Sequence, residues 1–250
     1  MEEPRAKLVV TADDFGYCPQ RNRGIVEAFL EGAVTNASLL VNGSAAADAA
    51  SLARRYGIPT GLHMNLTEGR AVSQELGPGS CLREAGGFLP GKLGLRRALG
   101  RGLLHQAEVE LELEAQLASF RALLGRDPAH VDGHQHVHVL PGVCQVFAQV
   151  LARHGIPFTR VPTEPGLARC DWLDPPLLDF YEGVGADARA AAGEFAKHGI
   201  SVPPTGGCGQ GPDLFSQSRE RLHELQTLLA PELREKLRET GVELCAFPDL

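Results

Sequence analysis

Four of the nine histidines in this 250-residue chain fall within one short run, His130-Val-Asp132-Gly-His134-Gln-His136-Val-His138. If the run forms a strand, alternation places all five titratable side chains on one face. Such a face packs poorly in a core, and its burial without partners is costly. Imidazole and carboxylate groups together suit a divalent metal ion. The run therefore predicts a metal site, with a polar, solvent-exposed strand as the alternative.

Two adjacent carboxylates, Asp13 and Asp14, end a short apolar run near the start of the chain. At the carboxyl edge of a sheet they would lie where ligand sites gather in α/β proteins. Like charges this close resist joint ionisation, so we expect one carboxylate to bind a cation and the other to transfer protons. A helix cap or a solvated turn would explain the same pair without a site.

A further candidate is His63, late in the apolar run Gly61-Leu-His-Met-Asn65. Taken alone, a half-buried histidine bonded to the backbone is the commoner explanation. Together, however, one Asp and two His leave coordination positions open for water and substrate, which is typical of hydrolytic metal sites. In such a site the metal acidifies a bound water, and a second carboxylate takes the proton. The sequence contains no Gly-x-Ser-x-Gly elbow, P-loop or dinucleotide fingerprint that would indicate other chemistry.

Short β-like runs alternate with helical ones, which predicts an α/β fold built from βαβ units around a mostly parallel sheet. Strands are predicted at residues 7–12, 38–42, 59–66, 130–139, 156–161 and 242–247. Helices are predicted at residues 24–31, 45–56, 109–124 and 143–154, and across 222–237, where Pro231 interrupts the pattern and starts a second helix. Residues 73–95 are expected to form a loop that shapes a binding mouth, and the pattern weakens over 188–217. No domain boundary is visible, so residues 1–250 are interpreted as one domain.

The amino-acid composition indicates which binding partners and which cellular compartment are expected for this protein. With 24 basic against 31 acidic residues, the net charge of −7 argues against nucleic-acid and anionic-membrane surfaces. The six cysteines contain no Cys-x-x-Cys pair, which argues against a zinc ribbon. No secretory signal or apolar run of membrane-spanning length is visible, so the sequence predicts a cytoplasmic protein, with the nucleus also compatible. A homo-oligomer stays open.

The motifs together resemble the YdjC family of carbohydrate deacetylases, and particularly its vertebrate-type members. The matching segments are TADDFG at 11–16, LVNG at 40–43, GLHMNLTEG at 61–69 and HVDGHQHVH at 130–138. The resemblance covers residues 6–165 well. It implies a modified (β/α) barrel and a hydrolase that removes the N-acetyl group from acetylated amino sugars or oligosaccharides.

The resemblance also implies roles for individual residues. Asp13 would accept the proton of the attacking water, while Asp14, His63 and His134 would hold the metal. The metal is expected to be magnesium, although the ligand set also fits zinc.

Three further residues are expected to orient the ligands or line the substrate pocket, namely His130, Asp132 and His136. His130 competes with His134 for the role of ligand, because both belong to the His-x-Asp-x-His motif. We prefer His134.

One part of the family pattern is absent from this sequence. Family members carry a late strand followed by a His-Pro motif, whose histidine is a candidate general acid for the leaving amine. Here the segment ending at Ile200 runs directly into Ser201-Val-Pro-Pro, and the chain contains no His-Pro pair. This departure predicts a barrel that is incomplete near residues 198–202. It leaves as an alternative a catalytically impaired metal- or sugar-binding protein of the same fold.

Overall fold

The structure is a computed structural model that describes residues 6–87, 89–163, 175–203 and 227–250. The chain divides into two compact units. The first unit comprises residues 1–61 and 211–250, and the second comprises residues 62–210. The interpretation of the whole chain as one domain stays a prediction.

The regular elements alternate along the chain as predicted. The strands are β1 (Ala6–Leu8), β2 (Thr11–Phe15), β3 (Asn36–Leu39), β4 (Thr60–Met64), β5 (Val131–Gly133) and β6 (Val242–Leu244). The helices are α1 (Pro19–Leu30), α2 (Ala46–Tyr56), α3 (Gly91–Gly100), α4 (Gln106–Leu124), α5 (Val143–Arg153), α6 (Pro175–Lys197) and α7 (Pro231–Glu239). Short 3₁₀ segments cover Ala85–Gly87, His134–Val139 and Phe247–Asp249.

The paired strands are parallel, which confirms the α/β class. Strands β2, β3, β4 and β5 follow one another in a four-stranded sheet, and β1 pairs with β6. After β5, Phe158 accepts a hydrogen bond from the Val131 N–H and forms a parallel bridge with Ser201. In the part of the chain that the structure describes, these strands form open sheets and no closed barrel, as expected for an incomplete barrel.

In the first unit, small side chains let the helices pack closely. Helix α1 starts with Pro19, whose missing N–H costs nothing at a helix start. Helix α2 buries a stripe of alanines at 46, 49, 50 and 53. It ends at Gly57, whose φ of 66° is the left-handed conformation that glycine adopts at low cost.

In the second unit, α4 buries the predicted apolar face. Its members are Val109, Leu113, Leu117, Phe120 and Leu124. Helix α5 packs between α4 and α6, and the ring centres of Phe147 and Phe195 lie 5.6 Å apart. The sequence did not predict α6, because alanines (Ala188 and Ala191) supply much of its buried face and weaken the hydrophobic periodicity.

Several predicted boundaries need correction. The strand expected at 156–161 is reduced to the single bridge at Phe158, and α3 begins inside the predicted loop at 73–95. The leucine pattern begins outside the described residues, but Pro231 does start a helix as predicted. Among the described residues, no helix combines the length and apolar character that a membrane span needs.

Candidate metal centre

His63 and Asp132 face each other from neighbouring strands, β4 and β5, at the same register position. The Nδ1 atom of His63 lies 2.6 Å from Oδ1 of Asp132, and both side chains are buried. The other carboxylate oxygen accepts a hydrogen bond of 2.6 Å from Nε of Arg160. Burial alone would raise the pKa of Asp132, but the positive charges of Arg160 and His63 hold it well below its usual range. Asp132 is therefore an ionised carboxylate that fixes the His63 ring.

Two more histidines of the same run surround this pair. The ring centre of His134 lies 5.4 Å from that of His63, and the two rings meet edge to face at 74°. Nε2 of His130 lies 3.4 Å from the Asp132 carboxylate. All four side chains are essentially inaccessible to solvent. Two of the three predicted metal ligands, His63 and His134, thus come together within the second unit, and His130 packs behind Asp132.

The prediction that the histidine run forms one strand is wrong. Strand β5 ends at Gly133, and a 3₁₀ segment begins at His134. Gln135 and His136 have φ angles of 52° and 59°, which turns the chain out of the strand direction. Strand alternation therefore does not place the five side chains on one face. A Cβ at position 133 would lie 2.7 Å from the backbone nitrogen of His138, so this turn also requires glycine.

The last two histidines of the run have different surroundings. His138 points into the core: its Nε2–H donates to the Arg160 carbonyl oxygen at 2.7 Å, and its ring stacks parallel to Phe195. Burial lowers the pKa of His138 to about 4. His136 keeps some solvent exposure, yet desolvation and the neighbouring His138 and Arg160 still hold its pKa well below the usual value. Both rings are therefore neutral at pH 7.

The carboxylate pair lies in β2 of the first unit. The pairing of β2 with β3 shifts register between Ala12 and Phe15, and Asp14 within this irregularity has a φ of 61°. Its Oδ2 atom lies 2.6 Å from the Arg21 guanidinium of α1, and the residue is buried. Asp13, beside it, is half-buried. The register shift thus turns two successive carboxylates away from simple strand alternation.

Backbone strain marks the same motifs. Among the described residues, Asp14, Gln135 and His136 are the non-glycine positions with positive φ. Such conformations cost on the order of 1–3 kcal/mol each, and they persist where the surrounding structure enforces them, often at functional sites. Both sequence motifs are therefore held in geometries that the local chain would not choose alone.

One residue near the carboxylate pair was missed by the sequence interpretation. Asn22 of α1 is fully buried, and its Oδ1 accepts the backbone N–H of Gly16 at 2.7 Å. Its amide nitrogen donates to the Ala45 carbonyl and to Asp48. Asn22 thereby ties the loop after β2 to the start of α2. The sequence signal that could have identified Asn22 is its position, as a polar residue, on the buried face of helix α1.

Residues of the segment after β4 support the histidines. Glu68 places Oε2 3.3 Å from Nε2 of His134 and accepts a hydrogen bond from the Gln135 side chain at 3.0 Å. The Asn65 side chain accepts the backbone N–H groups of Thr67 and Glu68, which shapes the turn. These residues belong to the motif at 61–69, but the sequence analysis predicted no role for them.

Two buried polar residues of helix α4 form hydrogen bonds with the backbone of the segment that follows β4. Gln116 donates to the Asn65 carbonyl and accepts the Asn65 N–H, while Glu112 accepts the N–H groups of Val72 and Ser73. Both lie on the apolar stripe of α4 at helical spacing, which was the signal for a buried polar network. Desolvation raises the pKa of Glu112 despite these hydrogen bonds.

The donor types suit a divalent metal, since the second unit brings the imidazoles of His63 and His134 together beside the Asp132 carboxylate. In metal sites a ligating histidine usually bonds a carboxylate through its second ring nitrogen, as His63 bonds Asp132. Imidazole favours zinc and similar ions, whereas carboxylate admits magnesium, so the set leaves the ion open.

Comparisons with known proteins are consistent over nearly the whole chain. A family model described as YdjC-like protein matches residues 7–239. A carbohydrate deacetylase from Homo sapiens is 50% identical over 100% of this chain and 93% of its own length. The corresponding Mus musculus protein is 51% identical, covering 100% and 96%. A chitooligosaccharide deacetylase from Enterobacter sp. (strain 638) is 33% identical, covering 97% of this chain and 98% of its own length.

The alignment with the human relative spans 299 positions, whereas this chain has 250 residues. The relative therefore carries residues without a counterpart here. Among solved structures, an Enterococcus faecalis V583 protein described as a candidate cellobiose-phosphate cleavage protein superposes with a TM-score of 0.68 at 22% identity. The match covers 98% of this chain and 99% of that protein, and it shows a shared fold.

Proposed function

This chain belongs to the YdjC-like protein family, and we propose that it is a metal-dependent carbohydrate deacetylase. The reaction is hydrolysis of the N-acetyl amide of an acetylated amino sugar or oligosaccharide, which yields acetate and a free amine. The observation that carries the proposal is the buried pair of histidines, His63 and His134, with Asp132 fixing the first ring. The names of the curated relatives supply the substrate class.

The proposed metal ligands are Asp14, His63 and His134. Asp14 lies near the end of β2, His63 lies near the end of β4 and His134 directly follows β5. Ligand sites in parallel α/β sheets gather at the carboxyl ends of the strands, which supports this choice. When bound, the ion would acidify a water and polarise the scissile carbonyl. Magnesium is the ion expected from the family, and zinc is compatible with the donors.

Asp13 is the proposed proton acceptor, the one of the two adjacent carboxylates not assigned to the metal. It takes the proton from the attacking water, and a correctly placed base of this kind is worth about 10²–10⁴-fold in rate. Its half-buried position is compatible with contact to water and substrate.

The remaining site residues are proposed to orient rather than to react. Asp132 holds His63 in one tautomer and one ring orientation, and Arg160 keeps that carboxylate ionised. His130 packs against Asp132, and the partly exposed His136 is proposed to line the substrate pocket. His130 and Asp132 thus secure the geometry that the ligands need.

A second candidate function is binding of metal or sugar without turnover. It is favoured by the absence of a His-Pro pair and by the aligned residues of the human relative that have no counterpart in this chain. The intact Asp13 and Asp14 favour the enzyme.

The test measures acetate released from short N-acetylglucosamine oligomers by the full chain, first treated with a chelator and then resupplied with magnesium or zinc. We expect release that stops on chelation and returns with metal. A folded, metal-loaded chain that binds the oligomers but releases no acetate would instead establish the binding function. Release that persists after the chelator has removed all metal would overturn the metal-dependent mechanism.

A further inference from the structure

A second group of metal-ligating side chains lies in the second unit, where the segment after β4 meets the start of α4. Cys81, His105 and Glu108 each offer one ligand atom, and the three atoms lie within 4.8 Å of one another. Nδ1 of His105 is 3.5 Å from Oε1 of Glu108. The backbone N–H of His105 donates to the Cys81 sulfur at 3.4 Å. A thiol, an imidazole and a carboxylate thus lie close enough together to bind one ion.

The group is built by the backbone as well as by the side chains. Oε2 of Glu108 accepts hydrogen bonds from the Ser80 hydroxyl at 2.7 Å and from the Cys81 N–H at 2.8 Å. These contacts fix the carboxylate and leave its other oxygen, Oε1, beside His105. His105 directly precedes α4, and Glu108 lies in its first turn, so these two ligands are three positions apart, about one helical turn.

We propose that Cys81, His105 and Glu108 bind a zinc ion, with water as the fourth ligand. A thiolate and an imidazole select zinc strongly over magnesium, and one carboxylate is a common third ligand. The His105 side chain is 64% exposed, so an ion can reach the group from solvent. The site shares no residue with the proposed catalytic centre and does not depend on the deacetylase proposal.

Binding at this site involves a proton as well as an ion. Burial, together with the neighbouring Glu108, raises the pKa of the Cys81 thiol to about 11, so without metal the thiol keeps its proton at pH 7. Zinc replaces that proton, which passes to solvent. The bound ion would fasten residues 80–81 to the start of α4.

The test titrates the metal-free full chain with Co²⁺, which replaces zinc and gives a thiolate-to-metal charge-transfer absorption. We expect this band in the wild type, its loss in Cys81→Ser and its retention in Cys18→Ser, which changes a thiol outside the group. It should also persist in Asp14→Asn, which alters the proposed catalytic centre. A wild type without the band, or a Cys81→Ser variant that keeps it, would overturn the proposal.

A second variant guards against misfolding of Cys81→Ser. His105→Ala removes an exposed side chain, so it should fold normally, and circular dichroism checks this. Because His105 is a direct ligand, its loss should lower the affinity for zinc by at least about tenfold, which is the smallest loss found when residues that only support metal ligands are mutated. Competition with a chelating dye measures this affinity. An unchanged affinity in a folded His105→Ala variant would also refute the site.

Discussion

At the scale of single residues, Asp132 decides whether the candidate metal centre is ordered. It is fully buried, yet it stays ionised because Arg160 and His63 both bond it at 2.6 Å. A buried ion pair adds little stability compared with an apolar replacement, but removal of one partner is expensive. The pair is therefore better understood as a device that fixes the His63 ring than as a source of stability.

The substitution Asp132→Asn should damage both stability and metal binding. Since it removes the negative charge that faces Arg160 and His63, we expect the free energy of unfolding to fall by about 3–5 kcal/mol. Metal affinity should fall by about 10–100-fold, because His63 loses its orienting carboxylate. Urea denaturation and calorimetric metal titration measure the two effects.

The matched control is Asp127→Asn, which breaks an exposed ion pair with Arg121. Exposed pairs contribute about 0–1 kcal/mol, so this variant should resemble the wild type. If both variants lose equally little stability, the buried pair does not have the role described.

His138 should make the protein sensitive to acid. Its pKa is about 4 in the folded chain, against an ordinary value of 6.5. Between pH 6.5 and 4, His138 is therefore protonated in the unfolded chain but not in the folded chain. Stability from this group is complete above pH 6.5 and is lost as the pH falls toward 4, by about 3 kcal/mol in total. Unfolding free energies measured between pH 4 and 7 test this.

The comparison variant is His138→Phe, which keeps a ring between Phe147 and Phe195. It should be less stable at pH 7, because the Arg160 carbonyl loses its donor, but its stability should depend less on pH. The same pH dependence in both proteins would show that another group is responsible.

At the scale of elements, the loops after β2 and β3 approach more closely than side chains allow. A Cβ on Gly43 would lie 2.2 Å from the Gly16 carbonyl oxygen, and Gly16 itself has a φ of 96°. These are the glycines of the TADDFG and LVNG motifs. The motifs are thus bound together by a backbone contact that also places the Asp13 and Asp14 segment.

Gly43→Ala should therefore cost about 1–3 kcal/mol of unfolding free energy, the range for forcing extra atoms into a packed site. Gly24→Ala is the control, because a Cβ there meets no atom within 4 Å and the residue lies inside α1. It should raise stability by about 0.5–1 kcal/mol. Thermal unfolding of the two variants compares them, and a neutral Gly43→Ala would contradict the close approach.

The helices were more predictable than the turn that positions the histidines. Helices α2, α4 and α5 carry apolar residues at helical spacing, and that pattern is local. The turn after Gly133 depends on left-handed backbone at Gln135 and His136, which tertiary contacts impose on residues that do not favour it. Likewise, His63 and Asp132 are 69 residues apart, and one sequence cannot give the strand register that makes them partners.

At the scale of the whole molecule, the end of α6 marks the predicted departure from the family pattern. The chain leaves Lys197, passes Gly199 with a φ of 71° and pairs Ser201 with Phe158. The sequence predicts a departure here because it contains no His-Pro pair. The longer alignment with the human relative shows residues without a counterpart in this chain, and their placement near residues 198–202 stays a prediction. The cytoplasmic location, the homo-oligomer and the choice of magnesium stay predictions.

In the proposed mechanism two adjacent carboxylates have different tasks: Asp13 would accept a proton and Asp14 would hold the metal. The most direct measurement compares Asp13→Asn and Asp14→Asn in parallel for metal affinity and for acetate release from N-acetylglucosamine oligomers. We predict that Asp13→Asn binds metal like the wild type but releases acetate about 10²–10⁴-fold more slowly, and that Asp14→Asn loses both. Equal metal affinity in all three proteins, or wild-type acetate release by Asp13→Asn, would contradict the assignment.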